Sequence, residues 1–400
     1  MTFFVRKKKW ILVLFFTILI NEIYVPQIYA EEIRIQSKGC AVMDANSGRI
    51  IFEKDGNTHL PNASTTKILT CILALEKSDL KEKVVFSKEA AKQPEVKLGI
   101  GESNSLSMED ALYCMMLESY NDCAYAIAET VSGSILQFRQ MMNQKAKEIG
   151  AKNSHFVTPN GLDDSDEEGE HYSSAIDLCK IMRYCCKESP KAPKFLEISQ
   201  KKEMSVKGSN TVAYSISNLN KLLYSESGNV AGKTGYTSKA GYCYVGYFIS
   251  GKKEYIITVL GCGWPGNNVR WKEVQNLLAY NEKRYELFNV SLPTQLLSLH
   301  LTYNGYKKEP SLEQWKMEQK VFFSIKGTGM IFQKRAEQLI EREIFIEENM
   351  ESVIQGEEIG WVLYTMEGEE LARYSIEAEE TIKKWDNTSL FWAILRVFYS

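Results

Sequence analysis

The chain has 400 residues, 44% of them hydrophobic, and a formal net charge of −3, which is length and apolar content enough for two globular units with at least one large core. The body of the chain holds no run of Lys or Arg interleaved with aromatics, so no nucleic-acid partner is expected. Arg6-Lys7-Lys8-Lys9, an apolar stretch from Trp10 to Ile20, and the small Ala30 ahead of Glu31-Glu32 read as a signal peptide over residues 1–30. The apolar stretch falls short of the roughly 20 residues that span a bilayer, which favours cleavage over an uncleaved anchor. Export follows from this, and loss of four basic residues and one acid takes the net charge from −3 to −6.

Cys40 to Met43 and Arg49 to Phe52 flank an Asn46-Ser47-Gly48 turn and predict a β-hairpin. Apolar positions at three- and four-residue spacing predict helices over 64–76, 107–117, 121–131, 134–149 and 173–187. Strands are expected at Gly241 to Ile249 and Tyr255 to Leu260, followed by a helix at about 269–287. Strands at both ends of a helical insert imply one antiparallel sheet covered by helices, an α+β domain over residues 31–290. Short apolar runs from Leu296 to Leu301, Val321 to Ile325, Ile359 to Tyr364 and Leu371 to Tyr374 predict a small all-β domain over 291–384. The tail, 385–400, is apolar from Ser389 onward apart from Arg396, follows Lys383-Lys384 and the capping residues Asp386-Asn387-Thr388, and is read as an amphipathic, membrane-associating helix lying on the outer face of the cytoplasmic membrane. Nine cysteines without CxxC or zinc-ligand spacing are expected to fill the core, with no structural disulfide.

Ser64-Thr65-Thr66-Lys67 opens the first helix, and positions i and i+3 share a face, so the Lys67 amine can reach the Ser64 hydroxyl. A serine needs such a base to become a nucleophile. The spacing alone is weak: Ser78 to Lys81 and Ser199 to Lys202 repeat it and read as solvated helix faces. What distinguishes Ser64 is company in a fixed order, with Ser119-Tyr120-Asn121 and then Lys233-Thr234-Gly235 further along the chain.

SxxK, SxN and KTG in this order resemble the signature of penicillin-recognising serine enzymes. Asn62 to Lys67, Ser119 to Ala124, Thr158-Pro159-Asn160-Gly161-Leu162 and Gly232 to Thr237 are similar to the low-molecular-mass D-alanyl-D-alanine carboxypeptidases, from about residue 35 to 385. The resemblance implies a DD-peptidase/β-lactamase-like domain, a peptidoglycan stem peptide as substrate, β-lactam antibiotics as inhibitors, and no cofactor or metal. It implies roles residue by residue: Ser64 as nucleophile, Lys67 as its base, and Ser119 and Asn121 in proton transfer and amide binding. The N–H groups of Ser64 and Tyr236 would form an oxyanion hole, Lys233 would depress the Lys67 amine, and Thr234, within Lys233-Thr234-Gly235-Tyr236, would hold the substrate carboxylate with Arg270. Arg270 is the looser match, because the residues flanking it diverge from the family.

His59, His155, His171 and His300 show no HExxH or triad spacing, which excludes a zinc peptidase and a Ser-His-Asp hydrolase. The acidic stretch Asp163 to Glu170 ahead of His171 is expected to be a solvated loop rather than a cation site. A class A β-lactamase would need a Glu-x-x-Leu-Asn segment after SxN, which is absent from the sequence. An idle wall scaffold has no reason to retain five coordinated polar residues. A DD-endopeptidase would use the same residues and is the alternative reading.

Overall fold

The structure, a computed structural model, describes residues 33–263, 268–290, 297–304, 316–327, 329–346 and 354–381. The proposed signal peptide and the 385–400 tail lie outside the described residues. The described residues from Ile35 to Thr381 form one compact unit.

Its centre is a five-stranded antiparallel sheet in the order Ile50–Lys54, Gly39–Asp44, Lys253–Cys262, Gly241–Ser250, Asn229–Thr237. Tyr255 to Cys262 are buried without the in-out alternation of a half-exposed strand, so both faces of the sheet must be covered. Helix Ala175–Arg183 covers one face, where Cys179 Sγ lies 3.2 Å from Thr258 Oγ1. Helix Asn268–Arg284 covers the other, where Trp271 meets Tyr244 edge-on at 5.3 Å.

The largely helical insert between Ile50–Lys54 and Asn229–Thr237 builds the rest of the core. Helix Lys67–Lys77 runs through its middle, with Lys67 to Leu75 all buried. Ser107, Ser134 and Ser174 start the surrounding helices by accepting N–H bonds from Asp110, Gln137 and Asp177. Gly133 and Gly150 end two of them in the left-handed conformation, at φ 79° and 83°. All nine cysteines are buried and free. Burial raises the thiols of Cys40, Cys71, Cys123, Cys179, Cys185, Cys186 and Cys262, and that of Cys243 to about 11, which suits packing rather than reactivity.

Two expectations need correction. The last helix of the peptidase part stops at Arg284 rather than 287, and Tyr285–Val290 is a strand paired with Met330–Arg335. Ser199 is buried at the end of helix Ala192–Gln200 instead of facing solvent. The acidic stretch Asp163 to Glu170 faces solvent and includes a small hairpin, Ser165–Asp166 with Gly169–Glu170, while His171 after it is buried, 3% exposed.

Beyond Val290, five strands form a second antiparallel sheet around Phe323, Phe332, Val362, Tyr364 and Ile376. The Tyr285–Val290 and Met330–Arg335 ribbon joins this part to the central sheet through one buried acid. Asp44 accepts Gln333 N–H at 2.9 Å and Gln333 Nε2–H at 3.2 Å, while Gln333 Nε2 also donates to Glu254 O at 2.9 Å. Asp44→Ala would leave these donors unmet in a dry contact. It is expected to lower stability by about 2–3 kcal/mol, the range for buried bonds to a charged acceptor, measured by urea unfolding.

Candidate active site

Ser64 lies on a 3₁₀ turn, Ala63–Thr66, that leads directly into helix Lys67–Lys77. Ala63 enters this turn at φ 48°, and Asn62 ties it down by donating from Nδ2 to Thr65 Oγ1 at 3.1 Å and Thr66 Oγ1 at 2.8 Å. The i, i+3 relation expected from the sequence is realised, with Lys67 Nζ 2.7 Å from Ser64 Oγ. Ser64 itself is half-buried, open on the cleft side.

Lys67 is fully buried, with Nζ bonded to Asn121 Oδ1 at 2.9 Å and to the Asn160 carbonyl at 2.7 Å. Asn121 donates its Nδ2 to Pro94 O at 3.1 Å, and this fixes its oxygen toward the lysine. Burial, and then the nearby Lys233 cation, hold the Lys67 amine well below its usual range. In its neutral form the amine has two hydrogens and one lone pair. Asn121 Oδ1 and Asn160 O can only accept, so they take the two hydrogens. The lone pair is left facing the Ser64 hydroxyl, the arrangement a general base requires.

Ser119 stands at φ 68° and is nearly buried, in the turn that joins helix Met108–Leu117 to helix Asn121–Ser132. Asp122, which sequence reasoning gave no role, is buried beside it and accepts Leu98 N–H and Gly99 N–H, each at 2.9 Å. It thereby holds the segment whose Pro94 carbonyl orients Asn121.

Lys233, Thr234, Gly235 and Tyr236 lie on Asn229–Thr237, the edge strand of the central sheet, so one side of its backbone has no strand partner. A Cβ on Gly235 would come within 3.0 Å of Asn62 O and Ser64 N, which is why glycine lets this strand lie against the nucleophile turn. Tyr236 is exposed, its ring 4.7 Å from that of Tyr242. Arg270 is not a surface arginine. Its guanidinium lies 4.4 Å from the Trp271 ring and 5.3 Å from that of Tyr242, and its Nη1 donates to Gly235 O at 3.3 Å and Cys243 O at 3.4 Å.

Burial, with Arg270 second, pushes the Lys233 amine down to about 7. The sign of the pH dependence follows. Lys233 is cationic below about pH 7 and neutral above it, so attraction for an anionic ligand weakens as pH rises through 7. Non-covalent penicillin binding is expected to lose affinity over that window, and Lys233→Arg, charged throughout, to remove the limb. Affinity measured from pH 6 to about 9 by stopped-flow quenching checks this.

The turn Thr158 to Leu162 supplies the acceptor that sequence reasoning missed. A backbone carbonyl has no residue signature, although the turn was visible in Pro159-Asn160-Gly161. Thr70 Oγ1 donates to Pro159 O at 2.6 Å, and Asn160 Nδ2 to Gln93 Oε1 at 2.9 Å. His171 packs under the same turn, its Nε2 2.9 Å from Thr66 Oγ1. Of the acids before it, Asp166 pairs with Arg139 at 2.9 Å and lies 2.8 Å from His155 Nε2, and Glu170 pairs with Lys239 at 2.8 Å. Among the described residues no group of three His, Cys, Asp or Glu side chains is placed to hold a metal.

A half-buried serine bonded to a buried lysine, beside a glycine-bearing edge strand of a helix-covered sheet, defines a penicillin-recognising type of serine hydrolase. The chain belongs to the D-alanyl-D-alanine carboxypeptidase family (peptidase family S11), whose model matches residues 26–263. It is 29% identical over 359 residues to D-alanyl-D-alanine carboxypeptidase DacF of Bacillus subtilis, covering 88% of this chain and 87% of that one. It is 28% identical over 237 residues to D-alanyl-D-alanine endopeptidase of Escherichia coli, covering 58% of this chain and 73% of that one. Penicillin binding protein 5 from Haemophilus influenzae shares the fold, with a TM-score of 0.70 at 23% identity over 88% of this chain and 99% of that one. Penicillin-Binding Protein D2 from Listeria monocytogenes, in its ampicillin-bound form, matches with a TM-score of 0.54 at 26% identity, over 62% of this chain and 98% of that one. The protein is a serine-type hydrolase of the carboxypeptidase class.

Proposed function

We propose that the protein removes the terminal D-alanine from peptidoglycan pentapeptide stems through an acyl-enzyme on Ser64. The observation that carries this reading is the three-way bonding of the Lys67 amine, to Ser64 Oγ, Asn121 Oδ1 and Asn160 O. Ser64 Oγ attacks the carbonyl between the two terminal D-alanines as its proton passes to Lys67. The tetrahedral oxyanion is met by the N–H groups of Ser64 and Tyr236, each worth about 3 kcal/mol in such a role. The C–N bond breaks as Ser119 delivers a proton to the departing amine and takes back the one held by Lys67, and Asn121 supports the substrate amide. Water then hydrolyses the ester, releasing the tetrapeptide stem and restoring Ser64. Lys233, Thr234 and Arg270 receive the free carboxylate, Arg270 acting from behind the strand it is bonded to.

A carboxypeptidase reading is favoured over the endopeptidase alternative by extent of match. The alignment with DacF spans 88% of this chain, against 58% for the endopeptidase. Penicillins would acylate the same serine, since a β-lactam presents its strained amide and carboxylate much as the stem peptide does. In keeping with the leader and tail read from the sequence, the protein would work outside the cytoplasmic membrane, with residues 291–384 as a small β-rich domain and 385–400 resting on the membrane's outer face. No helix among the described residues is long and apolar enough to cross a membrane.

Incubation with a fluorescent penicillin followed by peptide mapping tests the nucleophile. One adduct on the peptide that holds Ser64 is the expected result. An adduct elsewhere, or none, would refute the assignment.

A further inference from the structure

His171 lies outside the three motifs, and the acid-base chemistry above makes no use of it. Its ring bridges the two segments that hold the Lys67 amine. On one side Nδ1 accepts Val157 N–H at 3.0 Å and Thr158 N–H at 3.2 Å, two residues before the Asn160 carbonyl. On the other, Nε2 is 2.9 Å from Oγ1 of Thr66, the residue before Lys67. With Nδ1 an acceptor, the ring hydrogen is on Nε2 and is donated to Thr66. Burial, with His155 and Lys67 as further causes, lowers the ring to about 3, so it is neutral near pH 7. An imidazolium would lose the Nδ1 acceptor and strand two buried backbone donors.

We infer that His171 is a positioning residue for acyl transfer: it sets the spacing between the Asn160 carbonyl and the start of the Lys67 helix, and so keeps the amine's lone pair on Ser64. This inference rests on the acyl-enzyme reading above. A rigid ring that accepts at one nitrogen and donates at the other suits the task. An asparagine oxygen can replace Nδ1, and a glutamine nitrogen can replace Nε2, but neither replaces both. Gly161 completes the contact from within the turn. At φ 82° its α-carbon sits so close to the nucleophile turn that a Cβ would fall 1.9 Å from Ala63 O and 2.9 Å from Thr66 Oγ1. The ring is walled by Phe156, edge-on at 5.6 Å. Loosening either arm lets Asn160 O drift from Lys67, and a shift of about 1 Å in such a group costs on the order of 100-fold in rate.

Thr66→Val, Thr66→Ser and His171→Asn test this in the full chain, with the acylation rate constant of a fluorescent penicillin read separately from its non-covalent affinity. Thr66→Val and His171→Asn are expected to slow acylation by about 10–100-fold with affinity held within about threefold. Thr66→Ser, which keeps the hydroxyl, should return to within about threefold of wild type. If His171→Asn does not fold, the threonine pair and the ring's nitrogen-15 shifts decide together, because Thr66→Val also removes the acceptor of Asn62 Nδ2. A wild-type rate in Thr66→Val, an equal loss in the Ser and Val variants, or a lowered Tm with an unchanged rate would each overturn the inference and leave the acyl-enzyme reading standing. A wild-type protein that forms no adduct on Ser64 would overturn both. Nitrogen-15 shifts of the ring give a second check: Nδ1 unprotonated is expected, and the opposite tautomer would contradict it.

Discussion

Lys67→Arg is expected to fold and still bind penicillin, yet to acylate about 10²–10⁴-fold more slowly, the usual worth of a positioned general base. The wild-type amine is fully buried and held down by burial and by Lys233, so its neutral form is accessible. A guanidinium does not give up its proton in a protein, so arginine supplies donors to Asn121 and Asn160 but no lone pair to Ser64. The larger group must also fit where the Lys67 side chain is fully buried. A lowered Tm would report that cost separately from the rate. Acylation within threefold of wild type would remove Lys67 from the role of base.

Gly161→Ala should be the most damaging small substitution in the cleft. Its φ of 82° already disfavours a side chain, and the added Cβ would lie 1.9 Å from the Ala63 carbonyl, closer than any real contact. Relief requires the Asn160 turn to back away from the nucleophile turn, taking the Lys67 acceptor with it. A loss of about 2–4 kcal/mol in stability is expected, from left-handed strain plus overpacking, with acylation slowed by about 10²-fold. Gly150→Ala is the control. It has φ 83° and nothing within 4 Å of the added Cβ, so it carries the conformational cost alone, about 1 kcal/mol, and leaves the acylation rate intact. Equal effects of the two substitutions would show that close approach at Gly161 does not matter.

The parts of the fold legible in the sequence are those whose signal is local. Tyr255 to Leu260 announces a strand covered on both faces because its apolar run is interrupted only by Thr258, and Ser107 or Ser134 announces a helix start because capping is a contact with the next turn. Asn229–Thr237 gave no such sign. Gly232, Lys233, Thr234 and Gly235 have no apolar alternation, since the residues this strand buries include the polar Lys233 and Thr234 and a glycine that lies against the nucleophile turn. The helix ending at Arg284 was read too long because Tyr285 and Phe288 continue the helical spacing of Leu277 and Leu278, while pairing with Met330–Arg335 prevails. Within the site, Ser64 and Lys67 were legible as i and i+3 of one turn. Asn160 O, Asp122 and the His171 to Thr66 bridge were not, because each acts across tens of residues through a contact that only the fold creates.

The central claim is a carboxypeptidase acting through Ser64. Mass spectrometry of a muropeptide with a pentapeptide stem, incubated with the purified protein and in parallel with Ser64→Ala, tests it most directly. The account predicts loss of one alanine with the wild-type protein and none with the variant. Intact pentapeptide with both proteins, while cross-linked dimers are cleaved, would contradict it in favour of the endopeptidase. Loss of alanine with Ser64→Ala would remove Ser64 from the chemistry.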